Sequence, residues 1–205
     1  MTVSAQDRAR KIKIVLFDVD GVLTDGTIWV YPMPVPLADG SVTTRLVEPK
    51  GFNAHDGAGM TLARLGGMKV GVITKRISEA VALRARDLKM EFVYQGQAFK
   101  MQAVREIAKK EGVTLEEIAY VGDDVIDLPV MRACGFAVAV ANARREVKAE
   151  AHYVTAHAGG EGAGRDAIEF ILAAKGLLEK CIAASIDESN PMPASMDIGK
   201  GGDLK

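Results

Sequence analysis

Short apolar runs alternate with helix-spaced patterns along most of this chain. Residues 12–17, 68–73, 91–94, 118–121 and 136–140 form brief, largely apolar runs in which β-branched and aromatic residues recur. Runs of this length read as buried strands, and Tyr153-Val154 forms a short sixth. Helical patterns lie between them, near 57–65, 78–88, 98–110, 128–133 and 144–149. A further helix over 163–178 follows the Gly-rich stretch 159–164. Ser78 fits a helix N-cap. Thr114 and Glu117 have the spacing of a capping box, and Gly112 suits a helix C-terminus. The alternation predicts an α/β fold: a doubly wound, mainly parallel, Rossmann-like sheet covered by helices.

One segment breaks the rhythm. Residues 27–31 and 42–47 read as two strands, separated by Pro32, Pro34, Pro36 and the turn pair Asp39-Gly40. This predicts an antiparallel β-hairpin with a long loop, inserted at about 26–48. Trp29 and Tyr31 fall on one of its faces. They pack either on their own domain or on a neighbouring subunit, and an isolated two-stranded hairpin is marginal in water. The expected organisation is a flexible N-terminus over 1–10 and one domain over 11–180 with no large cap domain. A tail rich in Ser, Asn, Pro, Gly and Asp follows over 185–205, and its composition predicts disorder.

Composition narrows the function classes. The chain has 205 residues, enough for one domain. Its 26 Lys+Arg balance 27 Asp+Glu, so no electrostatic nucleic-acid footprint is present. No apolar run approaches the ~20 residues of a membrane span. Cys134 and Cys181 are too few for a disulfide framework, which makes a reducing, cytoplasmic setting the default.

The candidate chemistry sits where strands end. Asp18-Val19-Asp20-Gly21 follows the first strand, so two carboxylates leave a core strand one residue apart and point the same way. Such a pair needs a cation or a shared proton, and this edge of an α/β sheet is where ligands bind. The second strand ends in Thr74-Lys75-Arg76, a hydroxyl and two cations that suit an anion. A Thr here also serves as an ordinary turn residue. The fourth ends in Gly122-Asp123-Asp124-Val125-Ile126-Asp127. Acid clusters of this kind suit hard divalent cations, although Asp127 alone is explained by a helix N-terminus. Lys100 opens a helix and reads either as a solvated lysine or as a positive charge for a phosphate.

The order Asp-x-Asp, Thr, Lys, Gly-Asp-Asp-x-x-Asp resembles the haloacid dehalogenase superfamily of phosphohydrolases over roughly residues 11–175. The resemblance implies Asp18 as nucleophile and Asp20 as general acid/base. It implies Thr74 and Lys100 on the phosphoryl oxygens, and Mg²⁺ held by Asp18, the backbone carbonyl of Asp20 and Asp123. Asp124 and Asp127 would stand behind those ligands. The implied reaction is Mg²⁺-dependent phosphomonoester hydrolysis through an aspartyl-phosphate intermediate. The residue chemistry agrees, because a carboxylate attacking an anionic phosphate needs cations to screen the charge.

The hairpin, the segment Phe52-Asn53-Ala54-His55-Asp56-Gly57-Ala58-Gly59-Met60, the Gly159–Arg165 segment and Gly122–Met131 are similar to the 3-deoxy-D-manno-octulosonate 8-phosphate phosphatase family. That similarity implies a keto-sugar acid phosphate as substrate, a place in lipopolysaccharide biosynthesis, and a homotetramer whose subunits cover one another's sites. It further implies a Gly-rich C-terminal lid. His55, Arg76 and Arg165 are the substrate-contact candidates. The chain departs from the family pattern at Lys75, where Gly is usual, at His55, and in its longer hairpin loop, all on the substrate side. The competing readings are a phosphatase for nine-carbon keto-sugar phosphates, a phospho-accepting receiver and a catalytically silent assembly protein. The motif order disfavours the receiver.

Overall fold

The computed structural model describes residues 3–189. In chain order its first elements are α1 (Ala5–Ala9), β1 (Ile14–Phe17), β2 (Tyr31–Pro36), β3 (Val42–Val47), α2 (Ala54–Leu65) and β4 (Lys69–Ile73). Then come α3 (Glu79–Asp87), β5 (Phe92–Tyr94), α4 (Met101–Glu111), β6 (Ile118–Gly122), α5 (Leu128–Ala133) and β7 (Phe136–Ala139). The last are α6 (Arg145–Glu150), β8 (Tyr153–Val154), α7 (Ala163–Ala174) and α8 (Leu178–Ser185).

Every residue of β1 is buried, so the strand has no polar side and must lie inside the sheet, covered on both faces. It pairs in parallel with β4 on one side and β6 on the other. The six-stranded sheet has the order β5-β4-β1-β6-β7-β8, and every pairing in it is parallel. The chain winds outward from β1 through β4 to β5, then returns past β1 to β6. That reversal opens a crevice at the carboxyl ends of β1, β4 and β6. Phe17, Tyr120 and Phe136 are the bulkiest fully buried side chains. The expected doubly wound sheet with a hairpin insertion is the fold observed.

Several boundaries differ from the sequence reading. The N-terminal segment, expected to be flexible, carries α1. Ser4 caps it, accepting the Asp7 amide at 3.1 Å, and Ala9 sits in the core. A five-residue helix has too few turns to show periodicity. Helix α2 starts at Ala54, ahead of the expected 57, because Asn53 caps it through the His55 amide at 2.8 Å. Ser78 stands at the N-cap of α3 without a side-chain cap bond, and Gln95 instead accepts its amide at 2.7 Å. The expected helix over 163–178 is two helices, broken at Gly176 with φ +68°. Gly112 closes α4 in the left-handed region, and the Thr114–Glu117 capping box is formed.

The hairpin shifts most. Its first strand runs through all three prolines, and residues 27–30 lie outside it. The Leu37 amide donates to the Ser41 carbonyl at 2.8 Å, which makes that pair a hydrogen-bonded one. Counting back along the register, Tyr31, Met33 and Val35 point their amides at β3, and residues 32, 34 and 36 point away. Prolines on that second parity cost the ladder nothing. Trp29 and Tyr31 stack at 6.1 Å, on one side of the insertion as expected. The predicted tail over 185–205 lies outside the described residues beyond 189.

Candidate active site

Four strand ends and helix starts converge on the crevice. Asp18 follows β1, and its amide donates to the Val121 carbonyl of β6 at 3.0 Å. Its Oδ1 accepts the Val19 amide at 2.7 Å, and its Oδ2 lies 2.8 Å from Lys100 Nζ. Lys100 also donates to Asp127 Oδ1 at 2.7 Å, and Tyr120 donates to the same oxygen at 2.9 Å. All of these side chains are buried. Asp127 Oδ2 accepts the Asp123 amide at 3.1 Å and the Asp124 amide at 3.4 Å. Asp127 is therefore saturated, and its work is to aim Lys100 and brace the acidic loop.

Asp18, Asp123 and Asp127 each place a carboxylate oxygen within 4.8 Å of the others. With Asp127 committed, Asp18 and Asp123 are the carboxylates left for an ion. Asp123 Oδ1 is buried with no hydrogen-bond partner among the described residues. A buried carboxylate oxygen left bare is costly unless something positive reaches it. Burial, then Asp127 and Asp18, push the Asp123 carboxyl up to about 7. Burial lifts Asp18 to about 6 despite Lys100. Both carboxyls are raised by burial and by neighbouring acids, and oxygen ligands so arranged suit a hard divalent cation.

The backbone is shaped to this crowding. Gly21 has φ +87°, and a Cβ there would meet Asp123 Oδ2 at 2.2 Å. Only glycine serves on both counts. Thr74, buried at the end of β4, has its backbone pinned by Tyr94 and Gln97 at 2.9 Å each. Its side chain joins Asp18, Asp20, Lys75, Arg76, Asp123, Asp124 and Ile126 around an open cleft of about 460 Å³. Asp124 lies at its rim, where its side chain caps the turn by accepting the Val125 amide at 2.7 Å.

Of the substrate candidates, Arg76 lines the cleft, and His55 and Arg165 do not. His55 lies beside Gly162, and Arg165 pairs with Glu169 at 2.6 Å. The Gly-rich segment is fastened rather than loose. The Gly160 amide donates to the Val22 carbonyl at 3.1 Å, and Asn53 donates to the Gly160 carbonyl at 3.1 Å. A Cβ on Gly159 would lie 1.8 Å from the Gly21 carbonyl oxygen. The segment braces the loop that follows β1 and leads into α7, whose Ala167, Ile168, Ile171 and Leu172 belong to the core. The expected lid is, in this structure, part of the framework.

Three participants escape sequence reading. Lys50, whose side chain is only 2% exposed, donates to Asp20 Oδ1 at 2.5 Å and lies 2.8 Å from Glu48. Glu48 also pairs with Arg76, which, together with Lys50, holds its carboxyl down at about 2. Tyr120 is the third. A tyrosine in an otherwise aliphatic core strand signals a hydroxyl that needs a partner. No local signal marks Lys50 or Glu48, because the partners that tie them to the cleft, Asp20 and Arg76, lie 30 and 28 residues away.

Residues 73–164 match the haloacid dehalogenase-like hydrolase family model. The chain is 38% identical over 179 residues to the 3-deoxy-D-manno-octulosonate 8-phosphate phosphatase KdsC of Escherichia coli strain K12, covering 87% of this chain and 89% of that one. The chain belongs to this phosphatase family. Among solved members, the Yersinia pestis 3-deoxy-D-manno-octulosonate 8-phosphate phosphatase shares 37% identity at a TM-score of 0.76. That alignment covers 85% of this chain and 88% of the other. The Moraxella catarrhalis phosphatase, solved with magnesium ion, phosphate ion and KDO, shares 34% identity at a TM-score of 0.77. It covers 88% of this chain and 97% of that one.

Proposed function

We propose that this protein is a Mg²⁺-dependent phosphomonoesterase acting on 3-deoxy-D-manno-octulosonate 8-phosphate. The observation that carries the reading is the Asp18–Lys100–Asp127 bridge beside the bare oxygen of Asp123. It supports Asp18 as nucleophile, Lys100 as the fixed cation paired with it, and Asp123 as the carboxylate that seeks a cation. The names of the family relatives supply the sugar.

Each residue has a defined task. Asp18 Oδ attacks phosphorus, the bond to the sugar oxygen breaks, and Asp20 gives that oxygen its proton. That displacement leaves the aspartyl phosphate on Asp18; Asp20 then takes a proton from the water that attacks its phosphorus, the Asp18–phosphorus bond breaks and phosphate leaves. Thr74 and Lys100 hold the phosphoryl oxygens. Lys100 is already seated on Asp18, so it follows charge from carboxylate to phosphoryl group without reorganisation. Asp18, Asp123 and the backbone carbonyl of Asp20 would hold a Mg²⁺ ion, which would supply charge neutralisation at the phosphate. Asp20's carboxylate is engaged by Lys50, which fits a metal contribution through its backbone alone. Lys75 and Arg76 line the cleft, and Lys75 presents a cation suited to the sugar acid's carboxylate, Arg76 being paired with Glu48.

The reading extends to a homotetramer in the cytoplasm. Trp29, Tyr31, Met33, Val42 and Leu46 on and beside the hairpin are each about half exposed or more, an apolar surface that favours another subunit over water. Both cysteines are free thiols, as a reducing compartment requires. Among the described residues no helix is long and apolar enough to cross a membrane.

The test is phosphate release from 3-deoxy-D-manno-octulosonate 8-phosphate, a nine-carbon keto-sugar phosphate, hexose phosphates and nucleotides, with Mg²⁺ and with EDTA. Preference for the eight-carbon acid, lost in EDTA, supports the reading. A flat profile or EDTA-resistant release defeats it. Sedimentation of the native protein and of Trp29→Ser decides the assembly.

A further inference from the structure

The proposal concerns what holds Asp20, and it rests on the phosphatase reading above. Lys50 does not line the cleft. It reaches Asp20 from behind, buried, and its ammonium is clamped between Asp20 Oδ1 at 2.5 Å and Glu48 Oε1 at 2.8 Å. Glu48 is in turn gripped by Arg76, and Arg76 Nε lies 3.9 Å from Asp20 Oδ2. Four charged groups thus form a closed ring, two cations alternating with two carboxylates. Asp20 itself is partly exposed on the cleft side.

We infer that Lys50 is a positioning residue for the acid/base step. By taking Oδ1, it fixes the carboxyl plane of Asp20 and leaves Oδ2 as the oxygen that faces the leaving group. A carboxyl free to spin about its side-chain torsions presents the proton poorly, and a small misplacement at a proton-transfer site costs much of its rate. Burial of the ammonium strengthens the hold, since a charge-assisted bond away from water is both short and directional. Glu48 and Lys50 directly follow β3, with Pro49 between them restricting the backbone. The hairpin therefore delivers this clamp to the nucleophile loop, although its own strands contribute nothing to the core cluster.

A role confined to Asp20 has a signature that general loosening lacks. An alkyl leaving group such as a sugar oxygen needs a proton, and p-nitrophenolate departs without one. The experiment measures kcat/KM with Mg²⁺ for 3-deoxy-D-manno-octulosonate 8-phosphate and for p-nitrophenyl phosphate, in wild type, Asp20→Asn, Lys50→Met and Lys50→Gln. For Lys50→Met we expect a loss of roughly 30-fold on the sugar phosphate and under about 3-fold on the aryl ester. Lys50→Gln, which keeps a donor without the charge, shows the same split at roughly 5-fold and covers the case in which Met does not fold. Asp20→Asn calibrates the assay, and equal losses there sink the acid assignment. If Asp20→Asn splits the substrates and both Lys50 variants lose them equally, or lose neither, the positioning role is overturned.

Discussion

Removing the metal should make the protein's stability fall as pH rises, opposite in sign to most carboxylate effects. The cause is Asp123, whose carboxyl stands at about 7 against an ordinary 3.8. A folded value above the unfolded one means the neutral acid is favoured in the fold. The contribution is then complete below about pH 4 and is lost as pH climbs through about 7. The whole displacement corresponds to about 4 kcal/mol. Asp123 keeps some contact with water, so half of that is a fairer figure. Between about pH 5 and pH 8, the window that spans most of the loss, about 1.5 kcal/mol remains to be read. For a chain of this size that is about 3–6 °C in Tm. Asp18, raised to about 6, acts in the same direction, and because its charge contributes to the rise of Asp123 the two are not summed. Calorimetry in EDTA at both pH values, on wild type and Asp123→Asn, isolates the effect, because other titrating groups cancel in the difference. Mg²⁺ binds the deprotonated carboxylates, so its stabilisation should be larger at pH 8 than at pH 5. Identical pH responses in wild type and Asp123→Asn, or equal Mg²⁺ stabilisation at both pH values, would refute the claim that this acid pair awaits a cation.

Four further outcomes follow from the same geometry. Asp18→Asn should lower Mg²⁺-dependent phosphate release by roughly 10³-fold or more, with a near-native circular dichroism spectrum, because the nucleophile goes while Lys100 keeps Asp127. Lys100→Met should cost about 3–5 kcal/mol in urea unfolding as well as activity, since Asp127 is left buried with no counter-charge. Gly21→Ala should weaken Mg²⁺ binding by isothermal calorimetry and lower stability by about 1–3 kcal/mol, the added methyl meeting both a positive φ and the Asp123 carboxylate. Truncation before Gly159 should leave no cooperative melting transition. It removes five core side chains of α7, of which Ile168, Ile171 and Leu172 are each worth about 2 kcal/mol of burial, from a fold whose total stability is about 5–15 kcal/mol. A truncated enzyme that melts normally and turns over slowly would restore the lid.

Much of the architecture was open to sequence reading because its causes are local. Buried parallel strands are apolar at successive positions, helices repeat at 3.6 residues, and the Asp-x-Asp and Gly-Asp-Asp loops carry their chemistry within a few residues. Chain order alone therefore located Asp18, Thr74, Lys100 and Asp123 at the ends and starts of their elements. The prolines at 32, 34 and 36 misled, because the parity that makes them harmless in β2 depends on which partner strand lies alongside. The Gly-rich stretch misled for a related reason. Its glycines are demanded by the loop against which they pack, as with Gly159 on Gly21, and not by freedom of movement.

The chain by itself determined that acids, a hydroxyl and a lysine would meet where strands end, since strand polarity and β-α alternation leave them no other place. Only the tertiary structure decided how their charges are shared. It saturates Asp127 with Lys100 and Tyr120, leaves Asp123 Oδ1 without a partner among the described residues, and closes Lys50 around Asp20 across 30 residues of chain. Ion pairing acts through distance in space and loss of water, and neither quantity is written in the spacing of residues along a chain.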